Sequence, residues 1–235
     1  MGLLAGAALP LGAAAGLFLK LPQRAVAGVM AFGAGTLIAA LALVLMEDAH
    51  RHGGLWTASI GFLVGAAAYT VVDLLIHRWL GRRRKPKARA EQSGLAIAVG
   101  SLIDNIPEGI VIGIGVVGAS TISPALLAAV LLSNFPEALS SAARMKEAGH
   151  RAGYVLGIWS AIGILTGLAS LGGYAAFSGF TDAGIAAASA VAAGAIIAML
   201  VDTLIPQAYE GAHEYSGLIT AAGFFLAFAL HKTTA

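Results

Sequence analysis

Two similar short motifs place acidic and amide side chains beside a proline within apolar segments. The first reads DNIPEG at positions 104–109 and the second reads SNFPEA at 133–138, with Asn, Pro and Glu identical at an offset of 29 residues. Ionisable side chains are costly in segments apolar enough to cross a membrane, and by default they mark a functional route there. The two motifs are therefore the candidate functional site.

On a helix, the spacing of each motif puts its polar side chains on one face. Asp104 and Glu108 are four residues apart, as are Ser133 and Glu137, and an asparagine stands next to the first residue of each pair. If the two helices are neighbours, Glu108 and Glu137 converge, and adjacent anions in a low dielectric repel each other unless a proton or a cation joins them. Because positions 94–143 contain no Lys or Arg, a divalent cation bound by oxygen atoms is the economical solution. Oxygen donors favour Mn²⁺, Mg²⁺ or Fe²⁺, and Zn²⁺ also accepts carboxylates.

Each motif also carries a proline that interrupts helical hydrogen bonding. Pro107 and Pro136 cannot donate to the carbonyl groups of Ile103 and Leu132, so both helices are predicted to kink. Unpaired backbone within a membrane persists only where it faces protein or a water-filled cavity. We therefore expect both kinks to face a polar path.

The composition explains what surrounds these motifs. Of 235 residues, 58% are hydrophobic and 11% charged, against roughly 25% charged in soluble proteins. Eight segments approach or exceed the length needed to cross about 30 Å of hydrocarbon. They cover residues 3–19, 25–46, 55–76, 94–118, 124–143, 154–176, 185–205 and 216–230. The predicted fold is an all-α integral membrane protein with one transmembrane domain, 1–235, whose 31 glycines favour close helix packing and would permit a homodimer without requiring one.

The basic residues predict the orientation. Of 14 Lys and Arg residues, 12 follow the first, third and fifth segments, and Arg51 and Lys232 lie on the other side. Since cytoplasmic loops are rich in Lys and Arg, we expect a multi-pass protein of an inner or plasma membrane, with non-cytoplasmic termini and a basic cytoplasmic loop at 81–93. Basic residues divided among linkers do not favour nucleic-acid binding. The chain has no cysteine, which excludes thiolate metal sites.

A second, weaker repeat relates segments two and seven. GTLIAALALVLMEDA at 35–49 resembles GAIIAMLVDTLIPQA at 194–208. Together with the motif pair, it suggests two halves related by a pseudo-two-fold axis, with segments four and five at the centre.

Other polar residues are candidates for the path of an ion. Glu47, Asp48 and His50 end segment two and could collect cations at the outer mouth, or form a solvated helix end. Asp202 lies within segment seven and is either a relay ligand or hydrogen-bonded to a neighbour. His213 and Glu214 follow segment seven and could receive a released ion, or belong to an ordinary polar loop.

The motifs, the eight segments and the basic loop after segment three resemble the ZIP (Zrt/Irt-like) family of divalent metal transporters, of bacterial type. This resemblance implies a binuclear metal centre in an eight-helix bundle, and transport of zinc, or of Mn, Fe or Cd, into the cytoplasm. By the same resemblance, one metal position would be lined by Asp104, Glu108, Ser133 and Glu137, and the other by Asn105 and Asn134 with the two glutamates bridging. This chain departs from the family's pattern at Asp104, where the family usually has histidine, and in segment six, which has no glutamate.

Two other classes of function remain as alternatives. Paired acids in a membrane also occur in aspartyl proteases, but the sequence has neither a His-Glu-x-x-His nor a Gly-x-Ser-x-Gly motif, so no enzyme is predicted. A proton-coupled carrier of another small cation could use the same carboxylates. For an organic cation it would want aromatic side chains, of which segments four and five hold only Phe135.

Overall fold

Helices make up almost all of the chain that the structure describes. A computed structural model describes residues 1–19, 21–82, 89–119 and 124–234 and has no strand among them. The α-helices of these ranges are α1 (Gly2–Phe18), α2 (Gln23–Ala40), α3 (Glu47–Arg82), α4 (Arg89–Ala119), α5 (Pro124–Glu147), α6 (Ala152–Phe177), α7 (Asp182–Met199), α8 (Ile205–Ala212) and α9 (Ser216–Thr234).

Long apolar helices indicate a multi-pass membrane protein, as the composition predicts. Five stretches of the described residues are long and apolar enough to cross a membrane, and α1 is apolar but has only 17 residues. The five stretches are Gln23–Ile76, Gly100–Val117, Leu126–Glu147, Ala152–Phe177 and Asp182–Thr233. The all-helical membrane class is thus confirmed, whereas the count of eight crossings stays a prediction.

Two of these stretches are broken internally. They contain 54 and 52 residues, and a straight helix of that length would measure about 80 Å. The first breaks at Gly54, whose φ of 75° and ψ of 172° are not helical. The second breaks at His213, where φ is 45° and a short 3₁₀ turn, His213–Tyr215, separates α8 from α9.

The basic linker expected at 81–93 is shorter than predicted. Helix α3 continues to Arg82, and α4 begins at Arg89. Arg, Lys, Ala, Glu and Gln all favour helix, so the polar composition of this region does not by itself end a helix. The centre of the linker, 83–88, lies outside the described residues.

Two π-helical segments extend α2 and α7. They cover Leu41–Met46 and Leu200–Leu204. Leu41 and Leu200 are separated by the same offset as the first residues of the weaker sequence repeat, Gly35 and Gly194. Alanine-rich helices can resemble one another through composition alone. Since π-helical turns are rare and often occur at functional sites, their shared position is separate support for the repeat.

The helices pack as two sets. The first helix set comprises α1, α4, α5 and α6, with contacts between α1 and α5, α4 and α6, and α1 and α6. The second helix set comprises α2, α3, α7, α8 and α9, in which α3 packs along α7 and α2 packs against α8 and α9. The sets meet where α2 contacts α5 and where α4 contacts α7. Both predicted motifs therefore lie in the first set and near its boundary with the second.

Glycines permit the closest backbone contacts within and between the sets. A Cβ atom on Gly33 of α2 would lie 2.6 Å from the carbonyl oxygen of Leu132 on α5, which is the carbonyl that Pro136 leaves without its helical donor. Within the second set, a Cβ atom on Gly65 would collide with the backbone of Val191. Small residues thus set the helix spacing, as expected where lipid provides no hydrophobic driving force between helices.

Candidate metal site

The six residues of the predicted metal site are buried in the helix bundle. Each has 8% or less of its surface exposed. Three come from α4 (Asp104, Asn105 and Glu108) and three from α5 (Ser133, Asn134 and Glu137). Both prolines lie inside their helices, so the polar faces predicted from the spacing are continuous helical faces.

Glu108 lies at the centre of this group. Its side chain is 1% exposed, and its Oε2 atom has no hydrogen-bond partner. The carboxyl group lies beside Glu137 and Asp104, and beside Asn134 of the facing helix. The structure thus brings the two motifs together as predicted, and leaves an acceptor oxygen unpaired among like charges, an arrangement that costs free energy unless a proton or cation is present.

The asparagines point their amides into the same interior. Asn105 donates from Nδ2 to the carbonyl oxygen of Ser101 at 2.8 Å, and its Oδ1 atom is unpaired. Asn134 is fully buried, and its Nδ2 atom is unpaired. The Ser133 hydroxyl donates to the carbonyl oxygen of Val130 at 3.0 Å, which leaves the lone pairs of that hydroxyl oxygen for another donor or an ion.

Asp104 has a partner from outside the two motif helices. The hydroxyl group of Tyr69, on α3, donates to Asp104 Oδ1 at 2.6 Å, and both residues are 5% exposed. No local sequence pattern indicates this role for Tyr69, because the contact joins positions 35 residues apart. A buried tyrosine does require a partner for its hydroxyl group, and that requirement was the one available indication.

The site approaches a polar cavity on the side of the basic linkers. This cavity has a volume of about 170 Å³, and its lining includes Ser140, Glu147 and Glu210. Arg144 also lines it and donates from Nη2 to Gln207 Oε1 of α8 at 3.0 Å. The positive charge of Arg144 acts on Glu137, two helical turns earlier on α5, so a cation leaving the site on this side would pass near a fixed positive charge.

On the opposite side, an apolar layer covers the site. Val111 and Ile112 on α4, and Ala129 and Val130 on α5, are each 1% exposed or less. They lie about one helical turn from Glu108 and Ser133. The described side chains therefore separate the site from that surface of the bundle.

Beyond the apolar layer lies a second cavity of about 330 Å³ that Glu47 and Asp48 line. Both acids have partners. Arg51 Nε lies 2.8 Å from Glu47 Oε1, and His52 Nδ1 lies 3.0 Å from Asp48 Oδ1. Lys232 also lines this cavity, which places Arg51 and Lys232 at one end of the bundle, as the sequence indicated. This cavity is thus lined by groups of both charges.

The remaining candidates are exposed. His50 lies outside the lining of the second cavity. Asp202, in the π-helical segment Leu200–Leu204, is exposed, while its neighbour Thr203 lies beside the hydroxyl group of Tyr69. His213 and Glu214 are exposed in the 3₁₀ turn. No described hydrogen bond or ion pair joins any of these four residues to the six-residue site.

The carboxylates do not complete a metal site by themselves. Among the described residues, no group of three or more His, Asp or Glu side chains is arranged to hold a metal ion. An ion between α4 and α5 would need the amide and hydroxyl oxygens of Asn105, Asn134 and Ser133, or water, in addition to the carboxylates. Such an all-oxygen donor set suits hard cations.

Comparison with known proteins leaves the family open. No protein-family model matches the chain, and no curated protein is significantly similar to it. The likeness to ZIP transporters therefore rests on the motifs and their arrangement.

Proposed function

We propose that this protein transports divalent metal cations across a membrane through the site between α4 and α5. The observation that carries the proposal is the pair of unpaired buried acceptors, Glu108 Oε2 and Asn105 Oδ1, beside two further carboxylates. Buried polar atoms normally have partners. A bound cation satisfies the acceptors and the like charges together.

The proposed architecture is an eight-span ZIP-like bundle with a pseudo-two-fold repeat. The breaks at Gly54 and His213 divide the two long apolar stretches into two crossings each, and α1, α4, α5 and α6 supply the others. The π-helical segments at equivalent positions of α2 and α7 support the repeat. Matching helix pairs support it as well. The α1–α5 contact corresponds to the α6–α4 contact, and the α2–α9 contact corresponds to the α7–α3 contact.

The path proposed for the ion runs from the cavity lined by Glu47 and Asp48, through the site, to the cavity lined by Arg144 and Glu210. The basic side is assigned to the cytoplasm of an inner or plasma membrane because Lys and Arg accumulate there. Transport is thus directed inward. The resemblance to ZIP transporters favours zinc as the transported ion. The oxygen donors of the site suit Mn²⁺ or Fe²⁺ as well.

Metal uptake into proteoliposomes tests the proposal. Glu108→Ala and Glu137→Ala should each abolish most Mn²⁺ or Zn²⁺ influx, reported by an indicator inside the vesicles. Asp182→Ala is the matched control, because Asp182 is an exposed acid at the start of α7 and its loss should leave influx unchanged. Unchanged influx in both glutamate variants would contradict the proposal.

A further inference from the structure

Tyr69 makes a side-chain hydrogen bond that joins the second helix set to the candidate site. Its hydroxyl group donates to Asp104 Oδ1 at 2.6 Å in a buried environment. This distance lies within the ordinary range of O–H···O hydrogen bonds. The bond holds the carboxyl group of Asp104 from a helix outside the two motifs.

The Tyr69 hydroxyl group has a second polar neighbour, which comes from the π-helical segment Leu200–Leu204. Thr203 of that segment lies beside the Tyr69 hydroxyl group, while Asp202 next to it is exposed. A π-helical turn changes which side chains face inward relative to an α-helix. A row of polar side chains thus runs from the end of α7 to α4, formed by Thr203, Tyr69 and Asp104. This row includes the π-helical segment Leu200–Leu204, which contributes no residue to the six-residue site.

We propose that Tyr69 positions Asp104 for the transported cation and helps to determine which cations the site accepts. This inference rests on the proposed function. The hydrogen bond restricts rotation of the carboxylate and withdraws charge from Oδ1. A carboxylate released from it can turn and offer both oxygens to one ion, which favours Ca²⁺, an ion that takes six to eight oxygen ligands and often binds carboxylates in a bidentate manner.

Tyr69→Phe is the direct test because it removes one oxygen atom and retains the ring. Groups that orient metal ligands typically change metal affinity about 10- to 100-fold when they are removed. We expect Mn²⁺ to bind to purified Tyr69→Phe protein about 10- to 100-fold more weakly than to the wild type. The electron paramagnetic resonance signal of free Mn²⁺ measures this affinity. We also expect Ca²⁺ to compete better against Mn²⁺ in the variant than in the wild type.

Two further variants separate positioning from a structural role. Tyr174→Phe makes the same change on α6 at a residue that is 47% exposed, and should alter neither quantity. In an Asp104→Ala background, Tyr69→Phe should have no further effect on Mn²⁺ binding, because the side chain that Tyr69 positions is absent. If Tyr69→Phe does not fold, Thr203→Val replaces it, with a smaller change in the same direction expected.

The outcomes are distinguishable. Wild-type protein that binds no Mn²⁺ overturns the proposed function and this inference with it. Wild-type binding with an unchanged affinity and an unchanged Ca²⁺/Mn²⁺ ratio in Tyr69→Phe overturns the inference alone. A loss of affinity that persists undiminished in the Asp104→Ala background also overturns it, since Tyr69 would then act through the fold and not through Asp104.

Discussion

Replacing Glu108 with glutamine should weaken ion binding and stabilise the ion-free protein at the same time. Glu108 is 1% exposed, has an unpaired oxygen and lies beside Asp104 and Glu137. Glutamine keeps the shape of the side chain and removes its charge. Its amide group can donate a hydrogen bond, and Asn105 Oδ1, an unpaired acceptor, lies one turn earlier on the same helix face.

The size of both effects follows from this burial. Two unit charges about 4 Å apart attract by about 4 kcal/mol at an effective dielectric constant of ~20, and a divalent ion doubles that value. Desolvation offsets part of it, so removing one partner of a buried charge pair costs about 3–5 kcal/mol. The dissociation constant should therefore rise about 100- to 5,000-fold. Without an ion, relief of like-charge repulsion by about 1 kcal/mol should raise the melting temperature by about 2–4 °C.

Calorimetric titration with Mn²⁺ and thermal unfolding in detergent measure the two effects on the same preparation. Asp182→Asn serves as the control, since it neutralises an exposed acid far along the chain from either motif. A Glu108→Gln protein with a lower ion-free melting temperature and an unchanged dissociation constant would refute the reasoning. The carboxylate would then be a structural group and not an ion ligand.

Two other changes probe packing and the mouth. Gly65→Ala forces a Cβ atom onto the backbone of Val191 and should lower the free energy of unfolding by about 1–3 kcal/mol. Gly157→Ala places a Cβ atom where no other atom lies within 4 Å, so it should be neutral or stabilising. Equal melting temperatures for the two variants would contradict this prediction. Arg51→Gln removes the exposed partner of Glu47 and should raise the initial rate of Mn²⁺ uptake about twofold at low ionic strength. The increase should disappear at ~1 M salt, because salt screens electrostatic attraction. An increase that persists at high salt would count against that explanation.

Spacing along a helix was enough to predict which motif side chains share a face. Asp104 and Glu108 lie together because positions i and i+4 of a helix are on the same face. The similarity of the two motifs led to the prediction that α4 and α5 face each other. Tyr69 and Thr203 could not be predicted in this way. Tyr69 reaches Asp104 because α3 packs along α7 and α7 contacts α4, and Thr203 lies beside the Tyr69 hydroxyl group from a π-helical segment.

The ends of elements were also poorly determined by sequence. Charged residues at 81–93 suggested a linker, yet the helix-forming preferences of those residues extend α3 and α4 into it. Glu47 and Asp48 line a cavity, and their pairing with Arg51 and His52 follows from the helical turn that places the partners four residues apart. Their role in collecting cations stays a prediction.

The apolar layer above the site has a consequence for membrane voltage. An electric field across a membrane falls mainly over the part that holds no water or mobile ions, and Val111, Ile112, Ala129 and Val130 form such a part of the described bundle. Moving one elementary charge through a full 100 mV is worth about 2.3 kcal/mol, so a divalent ion gains about twice that amount. A cation that reaches Glu108 from the Glu47 side crosses this layer, and its entry should therefore depend steeply on the potential.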